Sequence, residues 1–185
     1  MEAGTSPLTL IRPARRSGLP DFRELWRSRD LALILAWRDV KVRYKQSLIG
    51  IAWAVLQPFL TMVVFTLIFG KFAQLPSQGL PYPVFAMLNL VPWTFLAAAF
   101  TLTAGCVLSN RMLVQKVHFP LLILPLACFL VPLIDFVFSF TVALGITWWF
   151  DVAIQPTVVL VPLFLLMLAM TAIGLGSFLA VINVR

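Results

Sequence analysis

The chain has 185 residues, 61% of them hydrophobic and only 11% charged, with a mean hydropathy of +0.98 and a formal net charge of +7. No soluble core of this size needs so much apolar surface, so the composition excludes a soluble globular protein and points to membrane spans. The positive charge does not indicate nucleic acid, because ten of the fourteen Lys and Arg residues precede Ser47, where they flank the first apolar run.

Residues 1–29 read as a basic cytoplasmic tail, with Arg12, Arg15 and Arg16 followed by the breakers Gly18 and Pro20. The apolar stretch Leu8 to Ile11 is too short for a secretory signal core, so the first span is expected to direct insertion. Residues 30–47 then have the pattern of an amphipathic helix. At 3.6 residues per turn, Leu33, Ala36, Trp37, Val40 and Tyr44 fall on one face. Arg38, Lys41 and Lys45 gather on one flank and Arg43 on the other, with Asp39 and Gln46 opposite the apolar stripe. Leu31, Leu35 and Val42 interrupt the polar side. A helix of this kind lies along a membrane surface, rings at headgroup depth and cations toward anionic lipid. The plainer alternative is a cytosolic helix that happens to precede a span.

No charge occurs between Gln46 and Lys71, which predicts a first span over residues 48–69, kinked at Pro58. A polar turn over 71–81 leads to a second span, 84–108, where Ala97, Thr101, Gly105 and Ser109 form a small-residue row suited to close helix contact. Residues 117–150 hold a single charge, Asp135, and prolines at 120, 125 and 132. One span over 120–147 fits better than two fragments, each at or below spanning length. Trp148, Trp149 and Phe150 close it as an aromatic belt, and a fourth span over 158–182 carries Ala172, Gly176 and Ala180 in a second small-residue row. The expected fold class is an all-α membrane protein: an interfacial helix followed by four transmembrane helices. With a cytoplasmic amino terminus, thirteen of the fourteen basic residues fall inside and only Lys71 outside.

The search for chemistry is mostly negative. Gly70-Lys71 has Phe65 where a phosphate-binding loop needs glycine, and Phe72 follows it, so nucleotide hydrolysis is not expected in this chain. His118, Cys106 and Cys128 are too few for an ordinary zinc site. No hydroxyl nucleophile stands beside a plausible base, and no catalytic, metal or cofactor residue is assigned. Asp135 is either functional or a packing carboxyl bonded to a neighbouring helix, and the sequence shows no basic partner for it. Trp53, Phe59, Phe65, Trp93 and Phe95 either stack against sugar rings along a path or simply pack.

The run from Arg38 through Lys41, Arg43, Tyr44, Gly50 and Trp53 to Gln57-Pro58 resembles the first-span approach of polysaccharide and polyol-phosphate exporter permeases. These are the membrane halves of type-2 ABC transporters that move O-antigen, capsule or teichoic acid chains. Residues 89–95, 109–120 and 180–185 resemble three further segments of that family, in order and at plausible spacing. The resemblance implies a permease subunit in the cytoplasmic (inner) membrane, with ATP and Mg used by a separate ABC ATPase subunit. It implies a coupling element seated on that ATPase, formed by Asn110, Arg111, Met112, Leu113, Gln115, Lys116 and Val117. It places Trp37, Arg38, Asp39, Lys41, Arg43, Tyr44 and Lys45 on the interfacial helix against membrane lipid. It also implies a second permease copy in a homodimer and a lipid-linked glycan substrate, for which Trp53, Phe59, Trp93, Phe95 and Asp135 are the candidate path. Family members have six spans, so a chain with four looks truncated. The competing readings are an ABC permease for a drug or small lipid, a membrane scaffold without transport, and an intramembrane enzyme resting on Asp135.

Overall fold

A computed structural model describes residues 26, 29–45, 48–116 and 122–183. The expectations for the basic tail, Gln46, Val117 and His118, and for the side chains of Lys45 and Lys116, lie outside the described residues. Helix α1 spans Arg29–Lys45 and α2 spans Leu48–Phe65, continued by a π-helical stretch over Thr66–Phe72. Tyr82–Ser109 forms α3, Arg111–Lys116 the short α4, Ile123–Trp149 α5, and Val161–Ile182 α6 after a 3-10 turn over Pro156–Leu160. Among the described residues there is no strand.

Four helical stretches are long and apolar enough to cross a membrane: Val55–Phe72, Tyr82–Ser109, Ile123–Trp149 and Pro156–Ala180. Two of the helix ends show how the sequence sets them. Pro81 and Pro83 fix the start of α3. Asp151 closes α5 in a left-handed conformation at φ 52°, while the Val152 amide donates to the Thr147 carbonyl at 3.1 Å, a Schellman-type end. Residues 117–150, which left room for two short spans, contribute the single helix α5 with Pro132 inside it.

Helix α3 is the centre of the bundle, with α5 and α6 packed on it, α1 packed on α5, and α2 resting more lightly on α3 and α5. Because the long helices alternate in direction, α1, α4 and the start of α5 share one end of the bundle, and Lys71 and Asp151 the other. Two apolar clusters fill the interior. One joins Leu35 and Ala36 to Cys106, Leu124, Cys128 and Ala180; the other gathers Met62, Met87, Val91, Phe95 and Phe136. Phe95 meets Phe129 and Phe136 edge-on, at centroid distances of 5.7 and 5.2 Å.

The two small-residue rows behave differently. Ala172, Gly176 and Ala180 are buried against α3, and the Thr103 hydroxyl donates across the interface to the Ala172 carbonyl at 3.2 Å. A Cβ added at Gly176 would collide with the Thr103 side chain, so glycine sets the separation of the two helices. The row Ala97, Thr101, Gly105 and Ser109 lies off that contact, and a Cβ at Gly105 would meet nothing within 4 Å. The packed row on α3 is Val91, Phe95, Ala99, Thr103 and Cys106, which the four-residue spacing of small side chains did not reveal.

Candidate functional site

The candidate site is built on α1, whose orientation differs from the helical-wheel expectation. Ala36 and Val40 are buried and Tyr44 half-buried, as the apolar stripe requires, but Leu33 and Trp37 of that stripe are exposed. Leu35, which the wheel put on the polar side, is buried, and Asp39 is half-buried on the packed face. The reason is polar. Asp39, Arg43 and Tyr44 find partners inside the protein, and satisfying them fixes the rotation of the helix at the expense of Leu33 and Trp37. Trp37 and Lys41 stay outside together, the ammonium 5.6 Å from the ring centroid.

Successive contacts advance along α5. Cys128 Sγ lies 3.9 Å from Asp39 Oδ2, Arg43 Nη2 lies 2.7 Å from Asp135 Oδ2, and the Tyr44 ring reaches Phe138 at 6.3 Å. Helix α1 therefore follows the first half of α5 lengthwise. The Tyr44 hydroxyl donates to Asp135 Oδ1, so each carboxylate oxygen has its own donor. Burial first, and then the bond to Asp135, push the Tyr44 hydroxyl above its ordinary value, which keeps it protonated as a donor. Asp135, for which the sequence showed no basic partner, thus has a cation and a hydroxyl from one helix. Both lie about ninety residues away in sequence, beyond the reach of any local pattern.

The second tie runs to the short helix. Arg38 Nη2 donates to Asn110 Oδ1 at 2.7 Å and also pairs with its neighbour Asp39 at 2.7 Å. Asn110 is the buried joint between α3 and α4. Its amide Nδ2 donates to the Cys106 carbonyl at 2.9 Å, and its own carbonyl accepts from the Leu113 and Val114 amides at 2.9 and 3.1 Å. Of the expected coupling residues, Arg111, Met112 and Gln115 are exposed, whereas Asn110 and Leu113 turn inward and anchor the loop. A cleft of about 400 Å³ separates Arg111 and Gln115 from Asn183 at the end of α6.

The candidate path residues divide among three places. Trp53, Phe95 and Asp135 line one cavity of about 490 Å³ between α2, α3 and α5, together with Arg43, Gln57 and Thr94. Trp93 instead lines a larger outer groove of about 670 Å³ with Phe65, Phe69 and Tyr82. Phe59 sits with Val55, Leu56 and Val142 in a shallow apolar depression. The inner cavity alone combines an aromatic face with an ion pair and amide and hydroxyl groups. Arg43 and Gln57 are additions to it that sequence reasoning missed. No group of His, Cys, Asp or Glu suited to a metal occurs among the described residues.

Four apolar spans, a basic helix tied to them, and an exposed short helix between the second and third define a multi-pass α-helical membrane protein. Residues 30–185 match the family model described as ABC-2 type transporter, and the chain belongs to that family. It is similar to the O-antigen export system permease protein RfbA of Myxococcus xanthus, 32% identical over 163 residues covering 88% of this chain and 62% of that protein. Two proteins of that name from Klebsiella pneumoniae are 28% and 26% identical, over 64% and 68% of this chain and 49% and 51% of their own lengths. The chain therefore spans about half to three fifths of these relatives.

Proposed function

We propose that this chain is the permease subunit of an ATP-driven exporter that moves a lipid-linked polysaccharide across the cytoplasmic membrane. The observation that carries the reading is the joint at Asn110. A six-residue helix projecting between two spans is held from behind by α3 and by Arg38 of α1, leaving Arg111, Met112 and Gln115 free to meet another protein. That arrangement suits a surface on which an ABC ATPase subunit pushes, with ATP and Mg held by the ATPase. The names of the relatives support a glycan as cargo. Two permease copies would enclose the conduit, and the inner cavity, with Trp53 facing an ion pair, would offer a sugar both a stacking face and hydrogen-bonding groups.

Helix α1 would start at the cytoplasmic surface and run inward along the first half of α5, with Leu33, Trp37 and Lys41 toward lipid and Arg38 and Arg43 turned into the protein. Lys71 would then face outward, and the basic residues of the tail inward. Co-purification with the cognate ATPase tests the reading. Capture by the wild-type chain, lost in Arg111→Glu/Lys116→Glu, is the expected result. A chain that never captures an ATPase, even within the full-length subunit, contradicts it.

A further inference from the structure

Three observations bear on how α1 is used. First, α1 has no glycine or proline from Arg29 to Lys45 and is one unbroken helix, its two polar ties about 7.5 Å apart along the axis at 1.5 Å per residue. One tie, Arg38 to Asn110, holds the joint of α4; the other, Arg43 and Tyr44 to Asp135, holds the middle of α5. Second, Arg43 and Asp135 are themselves wall residues of the inner cavity, and Arg43 is the one wall residue that α1 contributes. Third, the same cavity is lined by Pro58 of α2 and Pro132 of α5, both inside helices, where a missing backbone donor makes a ready bending point.

We propose that Arg43 and Tyr44 on Asp135 form a latch that holds the inner cavity closed, and that the Arg38–Asn110 bond carries displacement of α4 to that latch. The nucleotide-driven half of this rests on the permease reading. The energetics suit a switch. The Arg43 side chain is 49% exposed and that of Asp135 23%, so the pair sits at the open edge of the cavity and is not sealed in the core, and parting it does not require breaking a fully enclosed ion pair. A fully buried pair would be too costly to open, and a fully exposed one would hold nothing. Arg38 and Asn110 are positioning residues, acting on the cavity only through α1.

The test places a reporter thiol in the cavity, Thr94→Cys, in a Cys106→Ala/Cys128→Ala background. The Thr94 hydroxyl bonds only within its own helix, to the Leu90 and Val91 carbonyls, so its replacement frees no partner in another helix. Labelling by a water-soluble maleimide is measured in the membrane-embedded transporter complex, without nucleotide and with MgATP on a hydrolysis-blocked ATPase. Asp135→Asn and Arg43→Gln are each expected to raise nucleotide-free labelling about tenfold, as when about 1.4 kcal/mol ceases to favour the closed state. Asp135→Glu is expected to keep labelling low. MgATP should raise labelling in the parent but not in Arg38→Ala, which should still bind the ATPase. Parental labelling in both Asp135→Asn and Arg43→Gln overturns the latch, and an intact MgATP response in Arg38→Ala overturns the lever. If no ATPase binds, the permease reading and the lever fall together, while the nucleotide-free comparison still decides the latch.

Discussion

The contact between α3 and α6 and the contact between α1 and α5 join helices by opposite means. At the first, Gly176 lets the backbones approach until Thr103 bonds the Ala172 carbonyl, and no side chain longer than a hydrogen fits. At the second, Leu35 and Ala36 pack on the start of α5 and, further along, charged and hydroxyl side chains make the contact. An interface of the first kind has one workable separation. An interface of the second kind is the one that the proposed latch would open and reclose. The difference separates a close-packed scaffold, α3 with α6, from the contact to which the latch proposal assigns movement, α1 on α5.

The sharpest way to break the comparison is to add atoms to the scaffold. Gly176→Val is expected to cost about 3 kcal/mol or more, because the Thr103 side chain has nowhere to retreat. Gly105→Ala, in the unpacked row, is expected to be neutral or to stabilise by up to about 1 kcal/mol through helix propensity. Thermal unfolding in detergent micelles checks both, and equal effects would contradict the assignment of the two rows.

Smaller effects are expected at the movable contact, and there the order matters. Arg43→Ala leaves the Asp135 carboxylate without its cation and should cost about 2 kcal/mol, allowing for the partial exposure of the pair. Asp135→Asn removes the charge as well as the bond and should cost about 1 kcal/mol. Unfolding measurements on both singles and the double, Arg43→Ala/Asp135→Asn, give the coupling energy, and additivity would mean the pair is not formed. Tyr44→Phe should cost least, about 1 kcal/mol or below. Because the Tyr44 hydroxyl is raised above its unfolded value of 10.0, its contribution is fully present below pH 10 and is lost only as pH rises through the higher folded value. Titration of stability from pH 6 to 9 should therefore show no difference in slope between wild type and Tyr44→Phe.

Much of this architecture was legible in the chain because span length and the absence of charge are local properties. The uncharged run between Gln46 and Lys71 is long enough for a span, and Pro81 and Asp151 mark helix ends with side chains whose backbone preferences are visible in isolation. What remained illegible was partner choice across helices. The wheel for α1 ranked Leu33 and Trp37 above Leu35 because it counted apolar residues, and it could not know that Asp39 and Arg43 had partners waiting on α5. Asp135 was conspicuous as a lone intramembrane acid, yet its cation lay in a segment read as facing lipid. Small residues at Ala97 and Gly105 had the same spacing as Ala172 and Gly176, and only the position of α6 distinguishes the rows. Of the aromatic residues singled out for a substrate path, Trp53 and Phe95 converge on the cavity with Asp135. Phe59 and Trp93 point elsewhere, since ring content says nothing about direction.

The central claim is that the α1–α4 end meets an ATPase and the opposite end does not. The most direct measurement is cysteine cross-linking in the assembled complex, comparing Met112→Cys on α4 with Val159→Cys at the far end, two exposed positions. A bifunctional maleimide should join Met112→Cys to the cognate ATPase subunit and leave Val159→Cys unjoined. Cross-linking at Val159→Cys alone, or equally at both, would contradict the account.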